Sequence, residues 1–96
     1  MLYALIGYDR PNGLKRRMEA RSDHLQHLEK LGDQLALAGA FLDDQGGMVG
    51  SIVLIEAASQ EEAEALFDTD PYMQAGVFDS VTIKPFRIAF NHTKAG

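Results

Sequence analysis

The chain has 96 residues, a length that predicts one domain (residues 1–96) with a single small hydrophobic core. Its 46% hydrophobic and 24% charged residues are typical of a globular protein, not of a disordered or membrane-spanning one. The net charge of −5 argues against a nucleic-acid partner, and the absence of cysteine excludes disulfides, thiolate metal sites and cysteine nucleophiles.

The first predicted element is a strand over residues 2–8, followed by a turn-rich loop. It is apolar on both alternating faces, so we expect both of its faces to be covered. Residues 1–8 are too few for a signal sequence or a membrane span, and no basic region precedes them. We therefore expect a cytoplasmic protein that does not contact membranes.

Residues 14–31 have helical periodicity and end before Gly32, a plausible stop. The leucines and methionine of this segment predict one inward stripe: Leu14, Met18, Leu25, Leu28 and Leu31. Arg21 falls inside that stripe and His24 falls on its border, whereas His27 lies further toward solvent. The basic run at 15–17 is interpreted as a solvated face.

The rest of the chain predicts two strands, a helix and a final strand. Residues 34–41 and 51–56 are strands joined through a hairpin turn at 43–47, and Ser59 with Glu62 forms a capping box that opens the second helix. The last strand is predicted over 81–90, where Pro85 requires an edge position or a bulge. The polar tail after Asn91 is expected to be frayed.

This order of elements predicts a ferredoxin-like βαββαβ fold, a split βαβ sandwich with a four-stranded antiparallel sheet and the first and third strands in its centre. Two helices cover only one face of such a sheet. The other apolar face needs a partner, and we expect a homodimer that packs sheet on sheet.

The Asp70-Pro71 pair admits two interpretations. Asp is a good N-cap and Pro suits the first helical position, so the pair can simply begin a helix. Alternatively, Asp70 supplies a carboxylate to a functional site together with the Arg21 to His24 segment.

Motifs along nearly the whole chain resemble the YCII-related (YciI-like) family. They are Met1-Leu2-Tyr3, Arg21-x-x-His24-Leu25, Ala38-Gly39, Gly50-Ser51, Ser59-x-x-Glu62-Ala63, Asp70-Pro71-Tyr72-x-x-Ala75-Gly76-Val77-Phe78 and Val81-x-Ile83-Lys84-Pro85-Phe86. The resemblance implies a dimeric α/β barrel with an active site centred on His24 and Asp70. One related branch is similar to a dehydrochlorinase acting on a chlorinated hydroxyhydroquinone, and the wider superfamily includes muconolactone isomerases and oxygenases.

A carboxylate on one imidazole nitrogen fixes the tautomer, so the other nitrogen can take a proton from a substrate. His24 and Asp70 would form such a dyad for isomerisation or elimination on a small cyclic or aromatic acid, with no metal or organic cofactor. Arg21 could hold a substrate carboxylate or phenolate, and two hydroxyls could bind a substrate oxygen, those of Ser51 and Tyr72.

Three alternatives remain open from the residues alone. The same cleft could be a non-catalytic module that binds a small anion, in which Arg21 matters more than His24. His24 and His27 could share a metal with Asp23 or Asp70, although no zinc motif is present. An oxygenase of the wider superfamily would consume oxygen with quinols.

Overall fold

Seven helices and strands follow one another along residues 1–93, the part of the chain that the computed structural model describes. In chain order they are β1 (Leu2–Asp9), α1 (Leu14–Leu31), β2 (Leu35–Leu42), β3 (Met48–Glu56), α2 (Gln60–Asp68), α3 (Pro71–Gln74) and β4 (Phe78–Phe86). A 3₁₀ turn, Gly32–Gln34, joins α1 to β2. The predicted ferredoxin-like order is confirmed, with the four-residue helix α3 as an addition.

The four strands form one antiparallel sheet in the order β2-β3-β1-β4. The two strands that are apolar on both faces, β1 and β3, therefore occupy the centre, as predicted. Pro85 lies on the edge strand β4, opposite Tyr3. An edge position tolerates proline because the missing N–H removes no bond to a further strand.

The last strand was predicted too far along the chain. It spans Phe78–Phe86 instead of residues 81–90, and a bulge lets Phe78 pair with Asp9. Phe86 pairs with Leu2, the first residue of β1, so residues 87–90 have no strand left to pair with. Of the predicted frayed tail, residues 91–93 form no helix or strand, and residues 94–96 lie outside the described part of the chain.

Helix α1 has the predicted bounds, but its packing face differs from the predicted stripe. Its buried residues are Arg17, Ala20, His24 and Leu28. Three residues of the predicted stripe are 42–49% exposed: Leu14, Met18 and Leu25. At about 100° per residue the true face is rotated by roughly 60° from that stripe. The rotation places His24 in the middle of the buried face instead of on its border, and leaves Arg21 exposed.

Helix α2 begins at the predicted capping box. The backbone N–H of Glu62 donates to Oγ of Ser59 at 3.1 Å, and the Glu62 carboxylate accepts from the N–H of Ala58 at 3.1 Å. The helix buries Ala63 and Phe67 against the sheet. Together α1, α2 and α3 cover one face, here called the helix side, which holds the hydrophobic core.

The opposite sheet face, here called the open face, carries no helix. Tyr8 and Phe41 stack on it with ring centroids 5.6 Å apart, and Ile6 and Ile52 are half-buried near its centre. The segment 87–93 borders an apolar groove beside Leu54. Within residues 1–93, no helix is both long enough and apolar enough to cross a bilayer.

Candidate active site

Helix α1 and the first turn of α3 bring His24 and Asp70 into contact across 46 residues of sequence. Nδ1 of His24 lies 2.8 Å from Oδ1 and 2.9 Å from Oδ2 of Asp70. The two side chains are only 8% and 7% exposed. A carboxylate at this distance is an acceptor for a proton on Nδ1, which fixes the orientation of the imidazole ring.

Asp70 also begins α3, as the helix-cap interpretation of the Asp70-Pro71 pair predicted, and the same carboxylate contacts His24. Its Oδ1 accepts the backbone N–H of Tyr72 at 2.9 Å, and Pro71 occupies the first helical position. The cap fixes the carboxylate in place. One short helix therefore orients the acid of the dyad through its own backbone.

A buried ion pair lies on the same face of α1, two turns before His24. Nε of Arg17 donates to Oδ2 of Asp9 at 2.7 Å, and Nη2 donates to Oδ1 of Asp9 at 2.9 Å. Nη2 also donates to Oγ of Ser51 at 2.7 Å. Burial alone would lower the pKa of Arg17, but the ion pair with Asp9 outweighs it and raises that pKa.

The interpretation of residues 15–17 as a solvated face was therefore wrong for Arg17, which is 2% exposed. The available signal was spacing, because residues seven apart lie on one side of a helix and Arg17 is seven residues before His24. Neither Arg17 nor Asp9 was singled out from the sequence.

The ring of Tyr72 contacts both His24 of the dyad and Arg17 of the ion pair. It stacks on the His24 imidazole with centroids 3.7 Å apart and planes 10° apart, and the Arg17 guanidinium carbon lies 4.7 Å from the Tyr72 centroid. Phe78 supports the ring edge-on at 6.0 Å. Burial raises the pKa of the Tyr72 phenol above its ordinary value, although the positive charges of Arg17 and Arg21 oppose this rise.

These groups lie beside a cavity of about 150 Å³ between α1, α3 and strands β2 and β3. Its polar lining consists of Arg17, Arg21, His24, Ser51 and Tyr72, and its apolar lining of Leu25, Leu28, Met48 and the 38–40 segment of β2. The five polar residues include all the predicted site residues except Asp70, which lies behind His24.

The predicted binding residues differ in their surroundings. Ser51 is 2% exposed and its hydroxyl accepts from Arg17, so it is already engaged by the protein. Arg21 is exposed and makes no side-chain hydrogen bond within residues 1–93. Arg21 therefore lines the cavity without a fixed position, whereas Arg17 is held.

Nε2 of His24 is the free nitrogen of the dyad. It forms no hydrogen bond within the described residues, yet that part of the chain has no fully buried side-chain nitrogen or oxygen without a partner. Nε2 therefore retains access to the solvent-filled cavity. The dyad can exchange a proton at Nε2 while Asp70 balances the charge of the ring. The described residues contain no cluster of three or more His, Asp or Glu side chains placed to share a metal ion.

Comparison with known proteins identifies relatives over nearly the whole chain. A family model for the YCII-related domain matches residues 1–87. Protein YciI of Escherichia coli O6:H1 is 39% identical over 98 residues, which cover 94% of this chain and 100% of the relative.

Among solved structures, the 5-chloro-2-hydroxyhydroquinone dehydrochlorinase TftG of Burkholderia phenoliruptrix AC1100, in complex with 2,5-dihydroxybenzoquinone, has a TM-score of 0.83 at 29% identity. The match covers 91% of this chain and 94% of that one. A dimeric ferredoxin-like protein of unknown function from Jannaschia sp. CCS1 has a TM-score of 0.56 at 12% identity, covering 91% of this chain and 98% of its own, and this likeness concerns the fold alone.

Proposed function

The chain belongs to the YCII-related family, and from that premise we propose that it is a cofactor-independent lyase or isomerase acting on a small cyclic or aromatic acid. The observation that carries the proposal is the His24–Asp70 dyad, with Nδ1 held by the carboxylate and Nε2 left free at the cavity. The dyad supplies both a base and the counter-charge that its protonated form needs.

In an elimination, Nε2 of His24 takes a proton from the substrate. The electron pair of that bond forms a new double bond, and the leaving group departs with the electrons of its own bond, so that HX is lost overall. In an isomerisation, the same proton returns to a different atom of the substrate. Neither sequence needs an oxidant or a reductant.

The cavity favours a single ring. Its volume of about 150 Å³ is close to that of a protein cavity that admits one benzene molecule. Its lining combines two arginines and a histidine with two leucines and a methionine. This lining suits a flat ring that carries acidic oxygens on one edge and carbon on the other.

We also propose that the protein is a homodimer joined through the open face. Apolar side chains at the centre of that face are only half-buried in one copy, and Tyr8 is 53% exposed. A second copy packed sheet on sheet would cover them. The Jannaschia protein, which has the same fold, is also dimeric.

The test begins with the substrate in the name of the dehydrochlorinase that this chain resembles. Chloride release from 5-chloro-2-hydroxyhydroquinone is measured for the wild type and for His24→Gln, alongside a panel of single-ring acids followed by NMR for isomerisation. We expect His24→Gln to reduce the rate about 10²–10⁴-fold, the usual contribution of general acid–base catalysis. A turnover rate in His24→Gln close to that of the wild type would contradict the proposal.

Two Asp70 variants separate the dyad from the helix cap. Asn is as good an N-cap as Asp, so Asp70→Asn should unfold at nearly the wild-type denaturant concentration. Its activity should nevertheless fall, as that of His24→Gln does. Asp70→Ala loses the cap too, and should be less stable by about 1 kcal/mol. Full activity in Asp70→Asn would show that the carboxylate has no catalytic role.

The charge around the cavity supports a second candidate, a module that binds a small anion without reacting. Arg17 and Arg21 both line the cavity. If the wild type binds ring acids, transforms none of them, and keeps its affinity in His24→Gln, the binding module is correct and the enzyme is not.

A further inference from the structure

We infer that Arg17, rather than the exposed Arg21, is the residue that holds the anionic oxygen of the ligand in this cavity. The inference rests on the proposed function in so far as both concern one cavity. It does not require that a reaction takes place there. It assigns a binding role to a residue that the sequence had suggested was on a solvated face.

The first support is the way in which Arg17 is held. Three hydrogen bonds, two to Asp9 and one to Ser51, use the N–H of Nε and both N–H groups of Nη2. Nη1 takes no part in these three bonds, and the phenol of Tyr72 is a further hydrogen-bond partner of the guanidinium, so at least one N–H group of Nη1 remains for a ligand. Since Arg17 is 2% exposed and lines the cavity, this group is a fixed donor with little conformational freedom to lose on binding.

The second support is the relation of Arg17 to the dyad. The guanidinium carbon is 4.7 Å from the centroid of the Tyr72 ring, and that ring stacks on His24. Arg17 and His24 also line the same cavity, so a ring whose oxygen is bound at Nη1 would share that cavity with the proton-accepting nitrogen of His24. Tyr72 stays uncharged in this position because burial raises the pKa of its phenol, so it does not repel an anion.

Arg21 has the same formal charge but a different effect. It is exposed and has no side-chain partner in the described residues, so water screens its charge and binding would have to order its side chain. We expect Arg21 to attract anions at low ionic strength. The side chain of Arg21 should contribute little to the affinity of the cavity for an anion.

The experiment measures binding by calorimetry, without turnover. The probes are 2,5-dihydroxybenzoquinone and benzoate as ring anions, with 2,5-dimethoxybenzoquinone and benzamide as uncharged counterparts. Arg17→Met alone would leave Asp9 buried without a partner, so the main variant is the charge-neutral pair Arg17→Met with Asp9→Asn. Arg17→Lys, which keeps the charge but not the planar fork, is the second variant, and Arg21→Met is the matched control.

The double variant should lose at least about tenfold in affinity for the anions, the usual size of a hydrogen bond between a charged donor and acceptor. Arg17→Lys should lose several-fold, Arg21→Met less than about threefold, and the uncharged probes should be unaffected throughout. Equal anion affinity in the double variant, a larger loss in Arg21→Met, or no binding of either anion to the wild type would overturn the inference.

The two proposals fail separately. If His24→Gln retains turnover while the Arg17 variants lose anion affinity, the dyad proposal is wrong and the Arg17 inference stands. If His24→Gln is inactive and the Arg17 variants bind anions normally, the reverse holds. Thermal unfolding of each variant shows whether a loss of binding reflects a loss of fold.

Discussion

The two faces of the sheet differ in the kind of side chain that they bury and the kind that they leave uncovered. On the helix side, four polar or charged side chains are buried and every one of them has a partner: Arg17, His24, Ser51 and Asp70. On the open face, apolar side chains at the centre are only half-buried and Tyr8 stacks on Phe41, while the edge strand β4 adds the polar side chains of Thr82 and Lys84. The helix side buries polar groups within its core, which a purely structural core has no need to do because burying polar groups is unfavourable. The open face lacks a covering layer. The first feature is what the proposed chemistry needs within one copy, and the second is what the proposed dimer would cover.

The largest effect should come from breaking the Asp9–Arg17 pair on the helix side. Arg17→Met leaves a buried carboxylate without its partner, so the free energy of unfolding should fall by about 3–5 kcal/mol. Urea unfolding followed by circular dichroism measures the loss. Arg21→Met is the matched control, because Arg21 is exposed and its removal should change stability by less than about 0.5 kcal/mol. Similar stability of the two variants would mean that the pair is not formed in solution.

A smaller effect should follow from placing a charge at the centre of the open face. Ile52 pairs with Ile6 on β1 and with Gly39 on β2, so Ile52→Lys would bring two lysines close together across a sheet-on-sheet dimer. The dissociation constant of the dimer should rise about 100-fold or more, as measured by analytical ultracentrifugation.

Ala65→Lys on the exposed surface of α2 adds the same charge far from the open face and should leave the dimer intact. If the wild type is a monomer at all concentrations, or Ile52→Lys remains a dimer, the open face is not the interface.

The smallest effect concerns Tyr72 at alkaline pH. The folded-state pKa of its phenol is raised, so the neutral ring contributes stability that is present below about pH 10 and is lost as the pH rises through the folded-state pKa. Tyr72→Phe has no such proton. Above pH 10 the unfolding free energy of the wild type should therefore fall more steeply than that of Tyr72→Phe, by at most about 1.4 kcal/mol per pH unit. If the unfolding free energies of the wild type and Tyr72→Phe fall in parallel above pH 10, the pKa of the Tyr72 phenol is not raised in the folded protein.

Local signals in the sequence were sufficient for the element order, the central strands and the cap of α2. The capping box at Ser59 predicted where α2 begins, because the residues that make it are neighbours in the sequence. Local signals were not sufficient to predict where β4 ends. Residues 87–90 are apolar enough for a strand, and only the position of Leu2 opposite Phe86 shows that no partner strand remains.

The site was predictable only in part, for a related reason. The resemblance to a family indicated His24 and Asp70, and the periodicity of α1 placed His24 near its inner face. The apolar stripe misled the choice of face, since Arg17 can be buried only if Asp9 and Ser51 reach it from two other elements. The sequence of the helix alone does not identify hydrogen-bond partners that lie 8 and 34 residues away.

The distance along the chain between the paired residues also bears on how the protein folds. Helix α3 has four residues, too few to be stable by itself, and its cap is the carboxylate that meets His24 from 46 residues away. Closing a loop of that length costs chain entropy before any contact is gained, so such pairings form late relative to local helices. An early folding intermediate with α1 formed would therefore contain His24 but no dyad. If the proposed function is correct, activity would appear only with the last long-range contacts, and a partly folded chain would be inactive.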